Sequence, residues 1–180
     1  PYWQNAVFCA TAVEALFGTL PALRRPASGL GYLAGLLHNF GYLVMAEIFP
    51  PHFSTYCRFQ EANPTVGYSL VERHLLGITR DQLAGWLMRF WTMPEEVIVG
   101  LRYQATPEYR GQHREYAGLV LVAKRLLRLH GVGDAALEPV PAQLYAELGL
   151  DPGAALQAVQ QVMDASAEIQ TLAHSLSASA

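Results

Sequence analysis

From Leu30 to Ala46 the chain is almost unbroken apolar sequence, and in the middle of it stand two adjacent polar side chains, His38 and Asn39. An imidazole and an amide in such a setting need hydrogen-bond partners or a ligand, because an unpaired polar group in an apolar site costs free energy. The segment is a little short of the ~20 apolar residues a membrane span needs. It also carries Gly31, Gly35 and Gly41, and basic residues flank only one side. Its expected place is therefore the central helix of a globular bundle, with His38 and Asn39 as the floor of a site or the remnant of one.

With 180 residues the chain suffices for one well-buried domain and is short for two. Apolar residues make up 52% and charged residues 15%, which disfavours disorder. A net charge of -3 gives no bulk electrostatic reason to expect nucleic-acid binding. Lys124 is the sole lysine among the 12 basic residues. Two cysteines, Cys9 and Cys57, make neither a disulfide framework nor zinc spacing, which fits a reducing cytoplasm. No leader pattern stands at the start, and because the chain opens at Pro1 on a helical pattern it reads as a piece of a longer protein.

Apolar spacing predicts a first helix from Trp3 to Leu16, closed by Gly18 and Pro21. Ser28 is placed to cap the central helix, and Pro50-Pro51 to end it. Short helices follow over Phe53–Glu61 and Thr65–Leu76, the second ended by Gly77. Thr79 caps a helix to Trp91 with Asp81 in its first turn, and Pro94 opens the next one ahead of Glu95 and Glu96. Thr106 to Gln112 is irregular. A stripe of Leu119, Val120, Ala123, Leu126 and Leu127 marks a long helix from Tyr116, stopped by Gly131 and Gly133. Pro141–Leu148 and Pro152–Leu176 complete the set. No stretch alternates long enough to be a strand, so the expected fold is one all-α domain over residues 1–180.

These segments carry a pattern. Gly35-Leu36-Leu37-His38-Asn39-Phe40-Gly41 resembles the G-L-L-H-D-[I/F]-G core of the HD superfamily. Glu72 with Gly77 five residues on, then Ala84-Gly85, Trp91 and Met93-Pro94-Glu95, resemble the HDOD branch of it. The likeness covers about residues 1–150. It implies an HD-type helical bundle related to metal-dependent phosphohydrolases of the HD and HD-GYP families. HDOD domains are generally regarded as non-catalytic signalling modules in bacteria, joined to receiver or other sensory domains.

The departures from that pattern bear on chemistry. An active HD site needs a His-Asp pair with further histidines and a carboxylate, which hold divalent cations that acidify a bound water. Here the Asp position is Asn39. The histidine expected after Gly77 falls on Arg80, the paired histidines on Gln104-Ala105, and the Asp of the late helix on Lys124. Of these vestigial positions His38 alone keeps a ligand-competent side chain, so the expectation is no metal, no cofactor and no hydrolase activity. The His38-Asn39 pair then reads as a structural knot that ties the central helix to its neighbours by hydrogen bonds.

Other features have plainer readings. His52, His74, His113, His130 and His174 are scattered surface histidines, Cys9 a small core residue, and Cys57 lacks an activating base. Gly29-Leu30-Gly31 does not continue into a dinucleotide fingerprint. Trp86, Phe90 and Trp91, with Met88 and Met93, read first as core; the sharper alternative is an exposed patch for a partner domain. Lys124, Arg125 and Arg128 read as a solvated face, or alternatively as a contact for an acidic partner or a phosphorylated ligand. Glu72 is expected to be a buried carboxylate that accepts backbone N–H groups or pairs with Arg80 or Arg102. Together these give a non-catalytic cytoplasmic regulatory domain that contacts receiver, kinase or cyclase modules, with no nucleic-acid or membrane partner. The alternatives are an HD phosphohydrolase, or a sensor that holds a small ligand or cyclic dinucleotide around His38, Asn39, Arg80 and Gln104.

Overall fold

Two long helices rich in small and branched apolar residues form the spine: α1 (Tyr2–Thr19) and α8 (Arg114–Leu129). The structure, a computed structural model, describes residues 2–22 and 29–166. Its order is α1, α2 (Leu30–Leu37), α3 (Phe40–Ile48), α4 (Pro50–Ala62), α5 (Tyr68–Leu76), α6 (Arg80–Phe90), α7 (Glu95–Arg102), α8, α9 (Ala142–Leu148) and α10 (Pro152–Asp164). Among the described residues there is no strand, and no helix is long and apolar enough to cross a membrane.

The apolar residues segregate into two clusters. The larger gathers Val7, Val13 and Leu16 of α1, Leu119, Val120 and Leu127 of α8, Leu101 of α7 and Val159 of α10. A smaller one joins Met45 of α3, Tyr56 of α4 and Tyr68 and Val71 of α5. Helices α2, α7 and α10 pack on the α1–α8 spine, whereas α3 leans on α6 and carries α4 and α5 with it.

The central apolar segment is not one helix. Gln104, just past α7, donates from Nε2 to the carbonyl of His38 at 2.8 Å. That is the carbonyl a continuous helix would offer to the Tyr42 N–H; Tyr42 instead bonds to the Asn39 carbonyl at 2.9 Å. The break lets α3 turn away and press Gly41 against the first residue of α6. A Cβ at Gly41 would lie 2.0 Å from the Arg80 carbonyl oxygen, so only glycine permits the approach.

Local rules explain most ends. Thr79 makes a full capping box with Gln82 at the start of α6, as its position predicted. Gly77 closes α5 with φ 72°. Beyond α8, Val132 N–H reaches the Leu127 carbonyl and Gly131 N–H the Arg128 carbonyl, a Schellman closure that needs the left-handed Gly131 (φ 76°). Pro50-Pro51 departs from expectation: α3 stops at Ile48, and the prolines open α4 as its first residues. Helix α5 begins at Tyr68 rather than Thr65. The cap position of α2 is Gly29, without a side-chain bond; Ser28 and the end of the last predicted helix lie outside the described residues.

Candidate functional site

The two apolar clusters meet at a layer of buried polar side chains, and most of the vestigial positions are in it. His38, Asn39, Glu72, Arg80, Gln104 and Lys124 are all buried, joined by Thr79 and Asp81. Ala105 is the exception: it is exposed, and it lines a depression of about 270 Å³ together with Tyr68, Gln104 and Lys124.

The layer is held by two connected sets of bonds. In the first, Lys124 Nζ donates to Gln104 Oε1 at 2.7 Å and to the Tyr68 hydroxyl at 3.1 Å. Tyr68 passes its own proton to Asp81 Oδ2 at 3.0 Å. Gln104 Nε2 bonds the His38 and Leu101 carbonyls. Lys124 makes no ion pair among the described residues, so amide and phenol oxygens solvate its charge. Burial pulls its pKa down, while Asp81 and Asp134 pull it back up.

In the second set Arg80 is the hub. Its backbone N–H donates to Glu72 Oε2 at 2.9 Å, and its Nε lies 3.3 Å from Glu72 Oε1. Its far nitrogen pairs with Asp134, and the guanidinium stacks 3.6 Å from the centre of the Tyr68 ring. Of the two partners offered for Glu72 the structure takes Arg80, and it supplies the backbone N–H as well. Glu72 has no exposed surface, and burial raises its pKa to about 7 despite the Arg80 charge and N–H beside it. Burial pushes Asp134 the same way, but Arg80 and Lys124 prevail and bring it down to about 2.

His38 is neutral. Nδ1 lies 2.6 Å from the Gly35 carbonyl, an acceptor, so Nδ1 carries the proton and Nε2 the lone pair. Burial, followed by the neighbouring Lys124 charge, lowers its pKa to about 3. The ring faces a cavity of about 10 Å³, lined also by Cys9, Lys124 and Asp134, with room for one water.

Several expectations are corrected here. Among the described residues the His38-Asn39 pair does not tie the segment to its neighbours through its side chains: His38 bonds the Gly35 carbonyl of its own helix, Asn39 makes no side-chain hydrogen bond, and the tie is the His38 carbonyl. Lys124, Arg125 and Arg128 are not a solvated face. Lys124 is buried, Arg125 binds the Pro139 carbonyl and Glu138, and Arg128 binds the Gly133 carbonyl, because the segment after α8 folds back over them. Trp86, Phe90 and Trp91 are not core: they are 59%, 81% and 49% exposed. Trp86 and Phe90 are one turn apart on α6, while Met88, on its other face, is buried. Cys9 is core as expected, its thiol pushed up to about 12 by burial. His52, His74 and His130 are exposed and His113 half-buried; His174 lies outside the described residues.

Sequence reasoning missed Asp134 and Tyr68 and took Asp81 for a dipole residue. Asp134 had one faint signal, an acid directly after the Gly131–Gly133 turn that returns the chain toward α6.

Among the described residues no group of three metal-binding side chains exists. The donor set at the vestigial positions does not fit a divalent pair: one neutral imidazole, two amides, and the side chains of Arg80 and Lys124 where carboxylates and histidines would be needed.

The bundle and its polar layer define a class, an all-helical HD-type domain with a buried hydrogen-bond network between its two apolar clusters. A family model, the HDOD domain, matches residues 1–107. The chain belongs to the HDOD family. Among solved structures, a Marinobacter aquaeolei VT8 protein whose name assigns it to signal transduction is 42% identical with a TM-score of 0.94. The match covers 98% of this chain and 39% of that one. A Shewanella amazonensis SB2B protein named as a phosphohydrolase has a TM-score of 0.72 at 19% identity, over 93% of this chain and 61% of its own. An HDOD domain protein of unknown function from Geobacter sulfurreducens has a TM-score of 0.76 at 17% identity, over 96% and 61%. The last two share the fold. This chain thus spans 39% to 61% of the length of these proteins. No curated protein matches it.

Proposed function

We propose that this domain is a non-catalytic signalling module that works by contact with other protein domains of a larger regulatory protein in the bacterial cytoplasm. The carrying observation is the bond from Lys124 Nζ to Gln104 Oε1 at 2.7 Å. Two of the positions where an HD enzyme keeps metal ligands are here bonded to each other, and the positive charge at the centre belongs to a side chain. Water activation by a divalent ion has no ligand set to support it. The solved relative assigned by name to signal transduction, in a chain about two and a half times as long, agrees with a module among others.

The contact surface in this reading is the outer face of α6. Trp86, Phe90 and Trp91 form an aromatic surface, with Trp91 also 5.6 Å from the Phe40 ring at the start of α3. Large exposed aromatics are costly in water and typical of interface centres. Their link to the polar layer is direct, since α6 begins at Arg80.

The test is metal analysis of the purified protein, with turnover of bis(p-nitrophenyl) phosphate in added manganese or iron. The expected result is no stoichiometric metal and no turnover above that of His38→Ala. Turnover that His38→Ala abolishes would overturn the reading.

A further inference from the structure

Between the end of α8 and the start of α9 the chain returns across the molecule as residues 132–140, without helix or strand. This segment is the shared wall of three hollows. Gly133 and Asp134 border a cleft of about 380 Å³ that Tyr42, Tyr56 and Arg80 also line. Ala135, Ala136 and Glu138 border the depression of about 270 Å³ at Gln104 and Lys124. Asp134 and Ala135, with His38 and Lys124, border the cavity of about 10 Å³. With the segment lifted, the three would join into one trough floored by His38, Arg80, Gln104 and Lys124.

Its attachments are of one kind, arginine side chains reaching out of the bundle. Arg80 holds the Asp134 carboxylate. Arg128 donates from Nη1 to the Gly133 carbonyl at 2.9 Å, and Arg125 donates to the Pro139 carbonyl at 2.6 Å and to Glu138 at 3.4 Å. Among the described residues no backbone–backbone hydrogen bond ties 133–140 to the body. Apolar anchorage is slight: Ala135 is buried and Val140 half-buried, while Leu137 is 55% exposed. A segment with so few buried apolar groups belongs to the low-stability end of a fold and opens without global unfolding. Its near end turns on Gly131 and Gly133, at φ 76° and 81°, where glycine is free to move.

We propose that residues 132–140 form a strap over the polar layer, hinged at Gly131–Gly133 and latched by the Arg80–Asp134 pair, which opens while the rest of the bundle stays folded. The latch is that pair because its guanidinium is buried, whereas the Arg125–Glu138 contact is exposed and worth little in water. Opening exposes Lys124 and His38. This inference stands apart from the docking role of α6.

Lys124, the sole lysine, is a ready reporter of the strap. The 180-residue chain is treated with an N-hydroxysuccinimide acetyl ester at several urea concentrations below the unfolding transition, and acetylation of the Lys124 peptide is followed by mass spectrometry. A slow rate that stays constant across those concentrations is expected, because a lifting strap exposes little surface. Asp134→Asn keeps the shape of the latch and removes its charge; it should acetylate about tenfold faster, with the same flat profile. If Asp134→Asn does not fold, Gly133→Ala, which strains the closed hinge, takes its place with the same expectation. A rate that climbs with urea in parallel with global unfolding means that Lys124 is reached only in the unfolded chain, and that overturns the proposal. So does a variant rate equal to that of the wild type, which means that the reagent enters through the depression with the strap in place. Complete protection of Lys124 in the folded chain overturns it as well.

Discussion

Glu72 is the residue on which the second half of the polar layer depends. It meets the backbone N–H at the start of α6 and the guanidinium of the same residue, with no water in reach. Removing Glu72 leaves the Arg80 N–H without an acceptor and the guanidinium with Asp134 alone, which costs about 3 kcal/mol. Glu72→Ala should lose that much in urea unfolding, while Glu72→Gln keeps an acceptor for the Arg80 N–H and should lose about 1 to 2 kcal/mol. Equal losses for the two would mean that the acceptor geometry contributes nothing. Glu72 was legible in the sequence through its place in the HDOD pattern, five residues before Gly77. Asp134 was not: its partner Arg80 is 54 residues away, and only the return of the chain after α8 brings them together. Lys124 was misread for a related reason. Its neighbours Arg125 and Arg128 suggest a wet face, and no local rule says that a later segment will cover it.

At the scale of the helix, close approach decides the geometry around the site. Helix α3 can rest on the first residue of α6 only because Gly41 has no side chain, a methyl carbon there coming within 2.0 Å of a backbone oxygen. Backbone cannot yield as a side chain does, so Gly41→Ala should cost about 3 kcal/mol through forced separation of the two helices. Gly118 on α8 is the useful contrast: a methyl there meets Leu148 methyl groups at 3.0 and 3.1 Å, which can rotate away. Gly118→Ala should therefore cost about 1 kcal/mol or less, offset in part by the better helix propensity of alanine. Urea midpoints for the two variants check the difference, and a mild Gly41→Ala would show that α3 is not pinned there. Helix existence and most caps were readable from periodicity, Thr79 and the glycines. The break at His38-Asn39 was not, because its cause is Gln104, a side chain from another helix that takes the His38 carbonyl.

For the whole molecule the buried titratable groups set the pH response, and two of them oppose each other. His38 is held near 3 against an ordinary 6.5, so the stability it confers is complete above 6.5 and lost as pH falls toward 3. Glu72 is held near 7 against 4.5, so its effect runs the other way, and stability falls as pH rises from 4.5 to 7. Asp134, held near 2, withdraws its contribution only below about 3.8. Stability should thus be nearly flat from pH 7 to 4.5 and drop steeply below. In His38→Gln the Glu72 slope is exposed, and stability should rise on acidification from 6.5 to 4.5, with buried Asp81, whose pKa burial also raises, acting in the same direction. Urea unfolding at pH 4.5, 5.5 and 6.5 reads this directly; a variant profile parallel to the wild type would refute the balance.

The buried ammonium of Lys124 has one more effect. A bound ion comes and goes with its concentration outside, so a core organised around one is only as complete as its loading. A cation carried on the chain is delivered in fixed stoichiometry by folding itself and cannot exchange. If the domain holds no metal, as proposed above, its interior takes the same form in a metal-starved cell as in a metal-replete one. If it signals as proposed, the information must enter from its surface.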